Sequence, residues 1–347
     1  MRIAALLRTL TAGLLFVILL FALFEGVYRV LGYWRNATFQ SLHEYDRELA
    51  WITTRNYSGA EVTLRDRLGH VYPRSMHTDA RGARLWGTRP GASRLLFLGD
   101  SVTEAVEVSD AKTYPAVFSR LADFDVYAYG TGAYSTLQEA MMLDRLLTEI
   151  RPDVLVLQFS LNDFTNNSHD LERHTVLFQQ MIRPYLVDDR IVDGYPEMHP
   201  YRLALRYSRL FARLDATWGV ALYWYYGDFN RLPVGSERTS LEQAAVETSG
   251  RLLRRVAARV PAGTRLYAFN RDESQTASNH EFERIAAAAG YRVITDIAKV
   301  ADAQESGQVT TLAEDRIHFN DLGNRIVGER LADFFAAQKR ESSPPAN

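Results

Sequence analysis

The chain has no cysteine among its 347 residues, which excludes disulfides, thiolate metal sites and a cysteine nucleophile. It also lacks an excess of either charge. Forty Lys and Arg against 42 Asp and Glu leave a net −2, so nothing marks a nucleic-acid partner. Histidine is scarce, and seven of the eight, at 43, 70, 77, 169, 174, 199 and 280, show no metal-ligand spacing. His169 and His174 come nearest, but five residues apart they fall off a single helical face. No internal repeat is present. With 47% hydrophobic and 24% charged residues, the composition is that of an ordinary globular chain, long enough for one large α/β domain with extensions.

What is present begins at the N-terminus. Leu10 to Phe24, "LTAGLLFVILLFALF", carries no charge, with Arg2 and Arg8 ahead of it and apolar residues resuming at Val27, Val30 and Leu31. No Ala-x-Ala cleavage pattern follows, so residues 1–34 read as a membrane anchor or signal segment, with the uncleaved anchor preferred. Leu, Phe and Ile on every face argue against a buried core helix. Arg29 and Arg35 lie beyond the run and weaken the positive-inside argument. The expected location is a membrane-anchored protein with its main domain outside the cytoplasm, at the periplasmic or cell surface.

Residues 35–93 mix charges, aromatics and glycines, and read as a juxtamembrane β-rich extension without its own core. From residue 94 strands alternate with helices, the pattern of a parallel sheet covered on both faces. The strands fall at 94–98, 124–130, 153–160, 264–270 and 291–297. The helices fall at 113–122, 136–150, 240–259 and 278–289, with a last one from Asp321 to about 338. Residues 94–338 thus form the main domain, interrupted by an aromatic insertion at 164–235, and 339–347 is an expected disordered tail. An insertion after a sheet strand usually sits near the strand ends, where ligands bind.

Four short motifs lie on loops after strands or before the last helix: "GDSVT" with Ser101, "GTGAYST" with Gly132, "SLND" with Asn162, and "DRIH" with Asp315 and His318. Each has a plain structural reading: a helix cap, a tight turn, turn chemistry, and a histidine satisfied by a neighbouring carboxylate. Together they supply what ester hydrolysis needs, namely a nucleophile, a base, a group to orient the base, and donors for an oxyanion. The Ser101 and Gly132 backbone N–H groups and the Asn162 side-chain amide are the candidate donors.

In that order and spacing the motifs resemble the four blocks of the SGNH, or GDSL-type, hydrolase superfamily, over about residues 94 to 335. The resemblance implies a three-layer α/β/α sandwich around a parallel sheet. It implies Ser101 as nucleophile, His318 as base, Asp315 as its orienting partner, and Ser101, Gly132 and Asn162 as oxyanion donors. No cofactor or metal is called for. Two positions depart from the pattern: Glu104-Ala105 stands where a glycine often follows the nucleophile, and Ser160 where a glycine often opens the third block. Glu104, one turn from Ser101, suits a helix N-terminus and could equally narrow the pocket or disfavour acidic substrates. Asp100 and Asp163 read as hydrogen-bond partners of neighbouring loops.

The function expected from this resemblance is a serine esterase acting on acyl esters, O-acetyl among them, of a small molecule or of an envelope polysaccharide or lipid. The alternatives are an O-acyltransferase using the same residues on a polysaccharide acceptor, and a non-catalytic envelope binding or assembly protein that keeps the fold. A metal-dependent phosphoesterase built on Asp100, Asn162, Asp163 and His318 is the remote one, because too few ligands converge.

Overall fold

In a computed structural model the structure describes residues 2–35, 42–59, 62–65, 71–87, 90–172, 183–193, 208, 210–211, 235–300 and 318–341. Asp315, the aromatic stretch "ALYWYYGDF" and residues 342–347 lie outside them. The chain divides into two compact units, one of residues 1–39 with 195–229 and one of 40–194 with 230–347.

In the smaller unit, helix α1 runs without a break over Arg2–Arg35. Its apolar stretch Leu7–Leu31 covers 25 residues at a mean hydropathy of 2.4 and is buried nowhere. At about 1.5 Å per residue this exceeds a hydrocarbon core of about 30 Å. The helix is compatible with a membrane anchor or a signal sequence. Glu25 accepts hydrogen bonds from Ser208 Oγ at 2.7 Å and Leu210 N at 2.9 Å, and pairs with Arg29 at 2.6 Å.

The larger unit is built on a five-stranded parallel sheet of β5 (Arg94–Gly99), β6 (Asp125–Gly130), β7 (Val154–Phe159), β10 (Arg265–Asn270) and β11 (Arg292–Val293). Its order is β11-β10-β7-β5-β6. Because side chains alternate across a strand, the unbroken apolar runs serve two cores. Leu95, Phe97, Val154, Val156 and Phe269 face one side, against Tyr114 and Phe118 of α3 (Tyr114–Leu121) and Leu331 and Phe335 of α9 (Asp321–Glu341). Leu96, Leu98, Leu155, Leu157 and Ala268 face the other. There they meet α4 (Thr136–Leu146), α7 (Ser236–Ala257) and α8 (Thr276–Ala288) through Leu143, Leu253 and Phe282. This is the three-layer α/β/α sandwich, and double-sided burial is why the strands read as continuous rather than alternating.

The fifth strand is shorter than the expected 291–297. Only Arg292 and Val293 pair with β10, and Asp296 at φ +62° takes the left-handed conformation and ends the extended run. At the C-terminus α9 continues to Glu341, into the expected tail, with Lys339 and Arg340 in its last turn, where positive charge suits the helix dipole.

The extension forms two antiparallel hairpins, β1 (His43–Asp46) with β2 (Ala50–Thr53) and β3 (Val62–Arg65) with β4 (Val71–Arg74). Its Leu49 and Ile52 join the core on the α4 face. Asp46 grips Arg145 of α4 through two 2.8 Å hydrogen bonds. Burial opposes the Asp46 charge, but Arg145 and the Leu49 and Glu48 amides outweigh it and hold its pKa at about 2. Within the expected 164–235 insertion, β8 (Pro184–Val187) and β9 (Arg190–Asp193) form a hairpin that belongs to the larger unit.

The strand order reverses between β5 and β7: the chain goes from β5 outward to β6, then returns across to β7 and on to β10. Crevices at the carboxyl ends of strands beside such a reversal are where open α/β sheets bind ligands. The loops carrying Ser101, Gly132 and Asn162 all leave the sheet there.

Candidate active site

The strand β5 ends at Gly99 because the chain must turn at once into α2 (Ser101–Glu104). Asp100 caps that turn, its Oδ1 accepting the Val102 N–H at 2.9 Å. The neighbouring strand end comes very close. A Cβ on Gly130 would sit 2.6 Å from Asp100 O and 2.5 Å from Glu104 N, so only glycine lets β6 pack beneath the turn. Gln158 of β7 adds a third strap: its Oε1 accepts from Thr103 Oγ1 at 2.9 Å and its Nε2 donates to Ser160 Oγ at 2.8 Å.

The turn presents the Ser101 hydroxyl 2.8 Å from His318 Nε2. His318 lies just before α9, two hundred residues along the chain, so this pairing is wholly tertiary. Its other nitrogen, Nδ1, faces Glu107 Oε1 at 3.7 Å, and both side chains are largely buried, at 22% and 11% exposure. Glu107 follows Ser101 by six residues without any motif to mark it, and sequence reasoning overlooked it.

Asn162 opens α5 (Asn162–Asn166) at the end of β7. Its loop is pinned by Asp163, whose Oδ2 accepts the Ser160 N–H at 2.9 Å and whose Oδ1 accepts the Thr136 hydroxyl at 3.1 Å. Leu161 N donates to Asp272 at 2.9 Å. The Asn162 amide itself has no hydrogen-bond partner among the described residues and stays half-buried. Asp163 and Asp100 are fully buried with Glu139 of α4 nearby, and burial raises all three carboxyls, Asp163 and Glu139 well above the usual range; the Asp100 charge adds to the rise at both of these, and Asp163 to that at Glu139.

The Gly132 N–H is engaged elsewhere. It donates to Glu104 Oε2 at 2.6 Å. Glu104 therefore points at that loop and at the extension rather than into an open pocket: its Oε1 lies 2.9 Å from His43 Nε2 and accepts the Thr53 hydroxyl at 2.7 Å. Burial works against a charged His43, but the Glu104 charge and hydrogen bond prevail and raise its pKa. Arg84, also from the extension, donates to Glu104 O at 3.0 Å and Val108 O at 2.7 Å. His43, Thr53 and Arg84 carry no sequence signal for this role, because they act from outside the four motifs.

Among the described residues no three His, Asp or Glu side chains are grouped to hold a metal ion. The arrangement sets a serine hydroxyl within hydrogen-bond reach of an imidazole that can take its proton, which is the chemistry of acyl transfer.

The sequence pattern of the GDSL-like lipase/acylhydrolase family matches residues 97–326. No curated protein matches the chain. Among solved structures it is similar to a lipolytic protein of the G-D-S-L family from Veillonella parvula, at 11% identity and TM-score 0.39, covering 71% of this chain and 99% of that one. A psychrotrophic esterase from Pseudoalteromonas sp. gives 10% identity and TM-score 0.39 over 72% and 99%. A lipase/acylhydrolase from Enterococcus faecalis gives 14% and 0.37 over 71% and 96%. The family pattern spans more than half of the chain, from β5 into α9. The protein belongs to the GDSL-like lipase/acylhydrolase family.

Proposed function

We propose that this chain is a serine esterase that removes acyl groups, O-acetyl among them, from an envelope carbohydrate or lipid, and that α1 tethers it to a membrane with the larger unit outside the cytoplasm. The observation that carries the reading is the 2.8 Å approach of His318 Nε2 to Ser101 Oγ at the carboxyl end of β5. His318 takes the serine proton as Oγ attacks the acyl carbonyl. The negative charge that develops on the carbonyl oxygen is met by the Ser101 N–H, the Asn162 side-chain amide and an amide of the 131–135 loop. His318 then returns the proton to the leaving alcohol, and water, deprotonated by the same ring, releases the acyl group. Asp315 is assigned the orienting role, and Glu107 Oε1 stands 3.7 Å from the ring's Nδ1. The membrane assignment draws on the length of Leu7–Leu31 and on its having no buried residue.

The test uses the full-length chain in detergent. Hydrolysis of p-nitrophenyl acetate, butyrate and decanoate is compared with that of Ser101→Ala, alongside labelling by a fluorophosphonate. Activity and labelling that vanish together in the variant support the reading, and chain-length preference separates small acyl groups from lipid ones. A folded wild type with neither refutes it.

A further inference from the structure

The loop after β6 is held far more tightly than a turn requires. Gly132 and Ala133 have four backbone polar groups between them, and three are taken. The Gly132 N–H goes to Glu104, Gly132 O accepts from Trp51 Nε1 at 3.0 Å, and Ala133 O accepts from the fully buried Arg183. The fourth, the Ala133 N–H, has no acceptor among the described residues. Ala133 itself stands at φ +58°, a left-handed conformation that an alanine adopts only where its surroundings impose it.

Next to it in the chain, Gly132 is held by a buried carboxylate. The Glu104 side chain is 1% exposed, and a charge so placed needs partners on every side. His43 and Thr53 satisfy one oxygen, and Gly132 satisfies the other. Thr53 Oγ1 also lies 2.9 Å from Thr131 Oγ1, which stitches β2 to the same loop. A side chain at position 132 would crowd the same pair, since its Cβ would lie 3.1 Å from Glu104 Oε2 and 3.3 Å from His43 Cε1.

Resting on the esterase reading, we infer that Glu104 is a positioning residue. Clamped by His43 and Thr53 of the extension, it takes the Gly132 N–H and so leaves Ala133 N–H as the amide this loop offers to the reacting oxygen. The extension is then part of the active-site machinery, and not only a spacer between helix and domain. Glu104 itself touches no substrate.

The experiment measures kcat and KM for p-nitrophenyl acetate with full-length wild type, Glu104→Met and Glu104→Gln, each checked by thermal unfolding. Methionine keeps the volume but cannot accept the Gly132 N–H, so kcat falls by about 10²-fold, the scale of one lost oxyanion donor, with KM within about twofold. Glutamine keeps a carbonyl acceptor and recovers most of that loss, which a purely space-filling role would not produce. Trp51→Phe is the second variant, in case Glu104→Met does not fold: it releases Gly132 O, and kcat falls about tenfold with KM unchanged. Folded Glu104→Met or Trp51→Phe protein with wild-type kcat overturns the inference, as does a glutamine variant no better than methionine. An inactive wild type whose Ser101 takes no fluorophosphonate overturns the esterase reading itself, and this inference with it.

Discussion

Replacing Asn162 by alanine separates catalysis from folding at this site. The side-chain amide makes no hydrogen bond to a described residue and is half-buried, so its removal orphans no partner and leaves no closed cavity. The stability change expected at such a position is within about 0.5 kcal/mol. The loop stays in place because its anchors are Asp163 on Ser160 N and Asp272 on Leu161 N, at 2.9 Å each. On the proposed mechanism what is lost is one donor to the carbonyl oxygen, where charge develops only in the transition state. Removing one such donor costs about 10²–10³ in kcat, or roughly 2.7–4 kcal/mol. Substrate binding in the ground state is untouched, so KM holds and kcat/KM falls in step with kcat. The assay is steady-state hydrolysis of p-nitrophenyl acetate by the full-length protein in detergent, with thermal unfolding as the control. A variant that keeps kcat within threefold of wild type, while Ser101→Ala is dead, refutes Asn162 as an oxyanion donor.

Three further outcomes follow from the same structure. Asp315→Asn lowers kcat by up to about 10⁴-fold if that carboxylate orients His318; a loss below tenfold, with a larger one in Glu107→Gln, transfers the role to Glu107. Phe118 is fully buried, with the Phe97 ring 5.2 Å away edge-on and Phe124 stacked at 5.8 Å, so Phe118→Ala destabilises the larger unit by about 3–5 kcal/mol in denaturant unfolding. The His43 pKa is raised in the folded state, so its pairing with Glu104 contributes fully below about pH 6.5, its ordinary value, and fades as pH rises through the folded value; His43→Gln flattens that part of the stability profile measured between pH 5.5 and 9, and an unchanged slope contradicts the pairing.

Much of this was legible in the chain itself. The strands at 94–99, 125–130, 154–159 and 265–270 follow from apolar runs that a doubly covered sheet demands. The helices between them follow from amphipathic spacing and from caps such as Ser135, which closes a capping box with Gln138. These are local signals, decided within a few residues, and so is the apolar helix at the N-terminus. The four motifs were visible for a similar reason: three are short loops that leave a strand with particular small or polar residues, and the fourth, with His318, comes just before the last helix.

Tertiary structure alone decided the rest. That Ser101 and His318 meet at 2.8 Å is a property of where β5 and α9 end in space, not of any spacing in sequence. Glu104 shows the limit most clearly. Its place in a short helix suggested a dipole effect or a narrowed pocket, but burial left its charge no solvent, and it had to find Gly132, His43 and Thr53 from three separate segments. A residue's neighbours along the chain set which hydrogen bonds it is able to make; only packing determines which of them it must.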